Sequence, residues 1–196
     1  MQTMLVQVPA GRSPGPSTWD DFVSLDEDDQ RELIDGHLIQ VEVPTQHHQY
    51  IIMMLGSYLT VWARTSASGT VLGSGYKVKV NRQRGVMPDI QFYKKGNLPK
   101  GAQQALDTGH PDLAVEVLSP SSRAIDRVTK LNWYASIGVP EYWLVDPESE
   151  TLTRHLLVDG RYVVDPHGLG EVFQPDTFPG LQVPLAELWT TPEDVT

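Results

Sequence analysis

Residues 112–118, DLAVEVL, constrain this chain more than any other stretch. Leu113, Ala114, Val115, Val117 and Leu118 form an apolar run broken only by Glu116, the pattern of a strand buried on both faces. Residues 124–138, AIDRVTKLNWYASIG, then read as a helix ending at Gly138, a residue suited to a left-handed cap. A second buried strand, EYWLVDP, follows at 141–147. Strand, helix and strand over 112–146 predict a right-handed parallel crossover.

The flanking segments fit an α/β domain around that unit. RELIDGHLIQVEV reads as a hairpin turning at Asp35-Gly36, and TLTRHLLVDGRYVVD as another turning at Asp159-Gly160. Apolar residues at helical spacing, Ile51, Leu55, Leu59 and Trp62, predict a helix over 46–64. TVLG, YKVKVN and VMPDIQFY read as short strands, and STWDDFVSL as a short helix capped by Ser17. Residues 1–17, rich in Pro and Gly, read as a loose tail, and 18–196 as one domain. The expected fold is a mixed β-sheet flanked by helices, with N- and C-terminal β-hairpins. No apolar run approaches a membrane span and no secretory signal opens the chain, so a cytoplasmic protein is expected. There are no cysteines, which excludes disulfides and thiolate metal sites.

Glu116 poses the chemical question, because a carboxylate on an apolar strand is costly unless it is paired or coordinated. Two partners are open to it. One is a structural ion pair with Arg123, Arg127 or Lys130. The other is a metal ion shared with Asp89, which follows Pro88 on a neighbouring strand-like segment; alternatively Asp89 is a turn residue. Two carboxylates on adjoining strands suit Mg²⁺, which takes oxygen ligands and keeps several waters. Charge patterning favours a polyanionic partner. Residues 77–130 hold ten of the 15 Lys and Arg but only five of the 25 acids, while the chain as a whole carries −10. Lys77, Lys79, Arg82 and Arg84 are the expected nucleic-acid-binding cluster, the two lysines sharing one strand face. In the helix after Glu116, Ala124, Val128, Leu131 and Ala135 form the expected core stripe. Asp126, Lys130 and Tyr134 form a separate polar one. His48 reads as a helix-start or packing residue, and Asp112 as a strand-entry residue. No phosphate-binding glycine loop, HExxH or nucleophile elbow is present.

In order along the chain, RELIDGHL, a His before a helix, MPDI, PDLAVEVLSPSS, an Asp, Lys and Tyr in the following helix, and GVPEYWLVDP resemble the Uma-type family, a former domain of unknown function grouped with candidate restriction endonucleases. The resemblance runs from Trp19 to Trp189. That family is similar in fold to the PD-(D/E)xK nucleases. The resemblance implies a restriction-endonuclease-like core and a Mg²⁺- or Mn²⁺-dependent endonuclease acting on DNA. Asp89 and Glu116 would bind the metal. Lys130, from the following helix, would replace the lysine expected at Leu118, and Glu32 would be an additional site acid. Because double-strand cutters often work in pairs, a homodimer is expected. The alternatives are a catalytically inactive DNA-binding or accessory protein and a structural, oligomer-forming protein on the same fold.

Overall fold

The computed structural model describes residues 14–26, 28–40, 44–101, 104–119 and 125–191. Two large sheets, a two-stranded pair and four α-helices carry the described residues. The larger sheet contains β3 (Gly69–Gly73), β6 (Ile90–Lys94), β8 (Leu113–Val117), β9 (Glu141–Asp146), β10 (Thr151–Val158) and β11 (Arg161–His167), in the order β11-β10-β9-β8-β6-β3. The smaller contains β1 (Arg31–Ile34), β2 (His37–Gln40), β4 (Lys77–Asn81), β5 (Arg84–Val86) and β7 (Ala105–Leu106), in the order β2-β1-β5-β4-β7. The helices are α1 (Trp19–Val23), α2 (Gln46–Thr65), α3 (Leu131–Ile137) and α4 (Ala186–Trp189). The short pair β12 (Val172–Phe173) and β13 (Val183–Pro184) precedes α4.

The central unit has the expected parallel pairing. β8 pairs parallel with β9, Leu113 opposite Glu141 through Val117 opposite Val145, and antiparallel with β6. All five β8 residues are buried. Alternation sends Leu113, Val115 and Val117 into a core with α2, where Ile51, Leu55, Leu59 and Ala63 meet Phe92 and Trp143. Ala114 and Leu118 point to the opposite layer with Trp133, Tyr134 and Tyr142. Trp133, Tyr134, Tyr142 and Trp143 are therefore core residues. The mixed sheet is present, but β1, β2, β4, β5 and β7 separate into a second sheet.

Both Asp-Gly turns form, with positive φ at both residues: 48° and 77° at Asp35-Gly36, 49° and 76° at Asp159-Gly160. Such turns match the twist of the strands they join. Gly36 has a further reason to be glycine, since a Cβ there would lie 2.4 Å from the Gly15 carbonyl oxygen. Gly15 N–H donates to Asp35 O at 2.8 Å and Ser17 N–H to Gly36 O at 2.9 Å. The end of the expected loose tail is thus fastened to the turn, while residues 1–13 lie outside the described residues. Thr18, not Ser17, caps α1. Asp21 Oδ2 accepts from the Thr18 N–H and hydroxyl, each at 2.8 Å. Residues 41–43 of the expected second arm also lie outside the described residues. Among those described, no helix is long and apolar enough to cross a membrane.

Candidate active site

β8 delivers Glu116 into the layer between the two sheets, where it is 4% exposed. The crossover after β8 delivers Lys130, 5% exposed, at the end of a π-helical turn over Ile125–Lys130 that runs into α3. Its ammonium donates to both Glu116 oxygens at 3.1 Å and lies 3.0 Å from Glu32 Oε1. Glu32 comes from β1, so Lys130 joins a carboxylate of each sheet. Tyr134, one helical turn on, donates its hydroxyl to Glu116 Oε1 at 2.6 Å. Burial, then the neighbouring Glu116 charge, raises the Tyr134 pKa well above the usual phenol value, so it stays a donor. Glu32 Oε1 accepts the Met87 N–H at 2.9 Å, fixing that carboxylate to the segment after β5.

The core stripe expected for this helix is corrected here. Lys130, Trp133 and Tyr134 are the buried positions, whereas Val128, Leu131 and Ala135 are half-buried. Ala124 lies outside the described residues. A regular wheel of 100° per residue misplaces the face because the entry is π-helical, a form whose bonds span five residues and which recurs at functional sites. Of the stripe that looked polar, Lys130 and Tyr134 turn inward and both meet Glu116; the side chain of Asp126 lies outside those described.

Asp89 lies beside this cluster. One step beyond the Ile90–Val115 pair, the antiparallel register sets it across from Glu116. Its Oδ2 accepts the Val117 N–H at 2.8 Å and lies 3.6 Å from His48 Nε2. The same His48 nitrogen is 2.9 Å from the Val117 carbonyl oxygen. Both neighbours are acceptors, so Nε2 carries the hydrogen and donates. His48 sits in the first turn of α2, whose Thr45 cap accepts the His48 N–H at 3.2 Å. It is thus more than a packing residue, for it holds the end of β8 and borders Asp89.

Of the expected nucleic-acid cluster, Lys77 is withdrawn from the surface. It is 6% exposed, and its ammonium donates to the Phe22 carbonyl at 2.9 Å and the Leu25 carbonyl at 3.4 Å, closing the end of α1. Lys79 does share its strand face, lying 5.5 Å from the Trp19 ring. Arg84 binds Asp35 Oδ1 at 2.5 Å and stacks 5.2 Å from Trp133. Arg82 is exposed. Asp112 is a strand-entry brace, accepting the Lys94 N–H at 2.8 Å and Asn97 Nδ2 at 2.9 Å.

The donor set suits a hard cation. Asp89, just before β6, and Glu116 on β8 offer carboxylate oxygens from adjoining segments. Glu32 and Glu116 share the Lys130 ammonium, and Asp89 stands across from Glu116, a local charge of the sign that attracts Mg²⁺. Among the described residues no three His, Cys, Asp or Glu side chains converge on one ion position. A cation here would take two protein carboxylates and complete its shell with water, the habit of Mg²⁺.

The model of a family described as "Putative restriction endonuclease", Uma2, matches residues 19–186. That span includes Glu32, His48, Asp89, Glu116, Lys130 and Tyr134. No functionally curated protein matches the sequence. Among solved structures, the crystal structure of "a putative nuclease belonging to DUF820 from Anabaena variabilis ATCC 29413" superposes with a TM-score of 0.75 at 19% identity, covering 89% of this chain and 98% of that one. At that identity the likeness establishes the shared fold.

Proposed function

The chain belongs to the Uma2 family, and from that premise we propose that it is a Mg²⁺-dependent endonuclease, with Mn²⁺ as a substitute, that hydrolyses phosphodiester bonds in DNA. The observation that carries this reading is the buried Glu116–Lys130–Glu32 cluster bordering Asp89. A purely structural layer has little reason to bury so many charges, since apolar residues of similar volume often do as well.

Asp89 and Glu116 would hold the metal, which when bound supplies positive charge to the phosphate and acidifies a water. Lys130 brings an N–H donor and a charge to the same place, able to orient the attacking water or stabilise charge growing on phosphate oxygens. Glu32 keeps the Lys130 stem directed inward. Tyr134 fixes one Glu116 oxygen, so the carboxylate presents a defined edge. Arg82, Arg84 and Lys79 would steer the DNA backbone; Lys77 has no part in this. The protein would act in the cytoplasm, and a pair of copies would be needed to cut both strands together.

A second reading, DNA binding without cleavage, is favoured by one observation: both Glu116 oxygens already take hydrogen bonds from Lys130, and one from Tyr134. Purified protein incubated with supercoiled plasmid and Mg²⁺ or Mn²⁺ separates the two. Nicking that EDTA stops and Glu116→Gln abolishes supports the nuclease. Salt-dependent binding with no metal-dependent nicking supports the second.

A further inference from the structure

Strand β11 ends the larger sheet, and among the described residues nothing pairs with its outer edge. Its middle is exposed on both faces, although Tyr162 packs against Tyr142 and His155. Val163 and Val164 are 55% and 56% exposed, and Val158, across the turn on β10, is 51% exposed. An edge strand of this length with exposed valines is a template for another strand unless something blunts it.

The backbone groups on that edge can be assigned. Leu157 N–H donates to Pro140 O at 2.9 Å, away from β11. Leu157 faces Tyr162, so this pair exchanges no bonds within the hairpin. By the alternation of an antiparallel ladder, Tyr162, Val164 and Pro166 turn their backbone groups outward. Pro166 has no N–H, so it ends the row of donors without cost to the hairpin. Tyr162 and Val164 are left as the donors on this edge.

We infer that this edge pairs with β11 of a second copy of the chain, antiparallel about a two-fold axis through Val163. In that register Tyr162 of each copy lies opposite Val164 of the other, and each pair exchanges both its N–H···O bonds. Arg161 of each copy faces Asp165 of the other, so the charges are self-complementary. Val163 meets its own copy on the axis. Shifting the axis to Val164 sets Val163 against Asp165 and Tyr162 against Pro166, losing both the charge pairing and a donor. Shifting it to Tyr162 sets Arg161 against Val163. The sequence RYVVDPH thus favours itself, in one register, over an arbitrary strand. The result joins two larger sheets into one. It stands independently of the nuclease reading, because it uses no residue of the candidate site.

The chain has no cysteine, so single-cysteine variants report the register directly. Residues opposite each other in a pair that exchanges no bonds have Cα atoms about 4.5 Å apart, within disulfide range. Val163→Cys should form a covalent dimer rapidly under diamide. Arg161→Cys and Asp165→Cys should not, because each lies roughly 14 Å from its own copy at about 3.4 Å per residue. In sedimentation velocity the wild type should dimerise with rising concentration. Val164→Pro, which removes an N–H used only between copies, should shift it to monomer with an unchanged circular dichroism spectrum. A wild type that stays monomeric at every concentration would overturn the inference. So would Val163→Cys linking no faster than Arg161→Cys, including any case in which the strand binds only unrelated partners.

Discussion

Two buried lysines divide this molecule. Lys77 and Lys130 are 6% and 5% exposed, and each reaches away from the element that carries it. Lys77 ends on two neutral carbonyls, those of Phe22 and Leu25, above the Phe22 ring. Lys130 ends on two carboxylates, Glu116 and Glu32. Burial lowers the Lys77 pKa, with Asp29 only partly opposing. The same side chain at the same depth does different work according to its acceptors. On neutral carbonyls it closes a helix and locks α1 to β4. Among carboxylates it creates a concentrated, buried charge group, the one proposed to act on a substrate. The contrast separates a brace from the proposed site without reference to sequence position.

The comparison is broken most severely at Lys130. Lys130→Ala leaves Glu116 and Glu32 buried without their shared ammonium, and should destabilise the fold by about 3–5 kcal/mol. Chemical denaturation measures this, and plasmid nicking should vanish in the same variant. A smaller effect is expected at Tyr134→Phe, which removes one hydrogen bond to a charged acceptor and should cost about 1.5–3 kcal/mol. Its nicking rate should fall while its DNA affinity, measured by fluorescence anisotropy, stays the same. Lys77→Met, which keeps the stem against Phe22 but leaves two carbonyls without this donor, should cost about 1–3 kcal/mol and leave the nicking rate of folded protein unchanged. A fall in rate matching that of Tyr134→Phe would erase the distinction between the two lysines.

Much of the fold could be read from the sequence because its signals are local. The Asp-Gly turns, the apolar run of β8 and the Gly138 cap each depend on a few adjacent residues, and each forms. Glu116 could be singled out because a lone acid on such a strand needs a partner. The fate of Lys77 could not be read, since the carbonyls it caps belong to a helix over fifty residues earlier and follow from tertiary packing. Lys130 could be singled out as a partner for Glu116 and by the family resemblance, and it does meet Glu116; helical periodicity alone does not turn it inward, because it assumes a regular helix and the entry is π-helical. Tyr134 had a visible signal, its spacing of four from Lys130. For His48 the signal was the family pattern of a His at a helix start; its neighbours Asp89 and Val117 could not be read because they come from distant segments.

The central claim, that the carboxylates around Lys130 exist for chemistry rather than support, is tested most directly by neutralising them together. In the variant Glu32→Gln, Glu116→Gln, Lys130→Met no charge is left uncompensated within the cluster, so the fold should survive, as buried ion pairs replaced as a set often allow. The measurement is Mg²⁺-dependent nicking of supercoiled DNA by this variant beside wild type. Wild type is expected to nick the DNA and the variant, with a native circular dichroism spectrum, is expected not to. Equal nicking by both, or none by wild type, would contradict it.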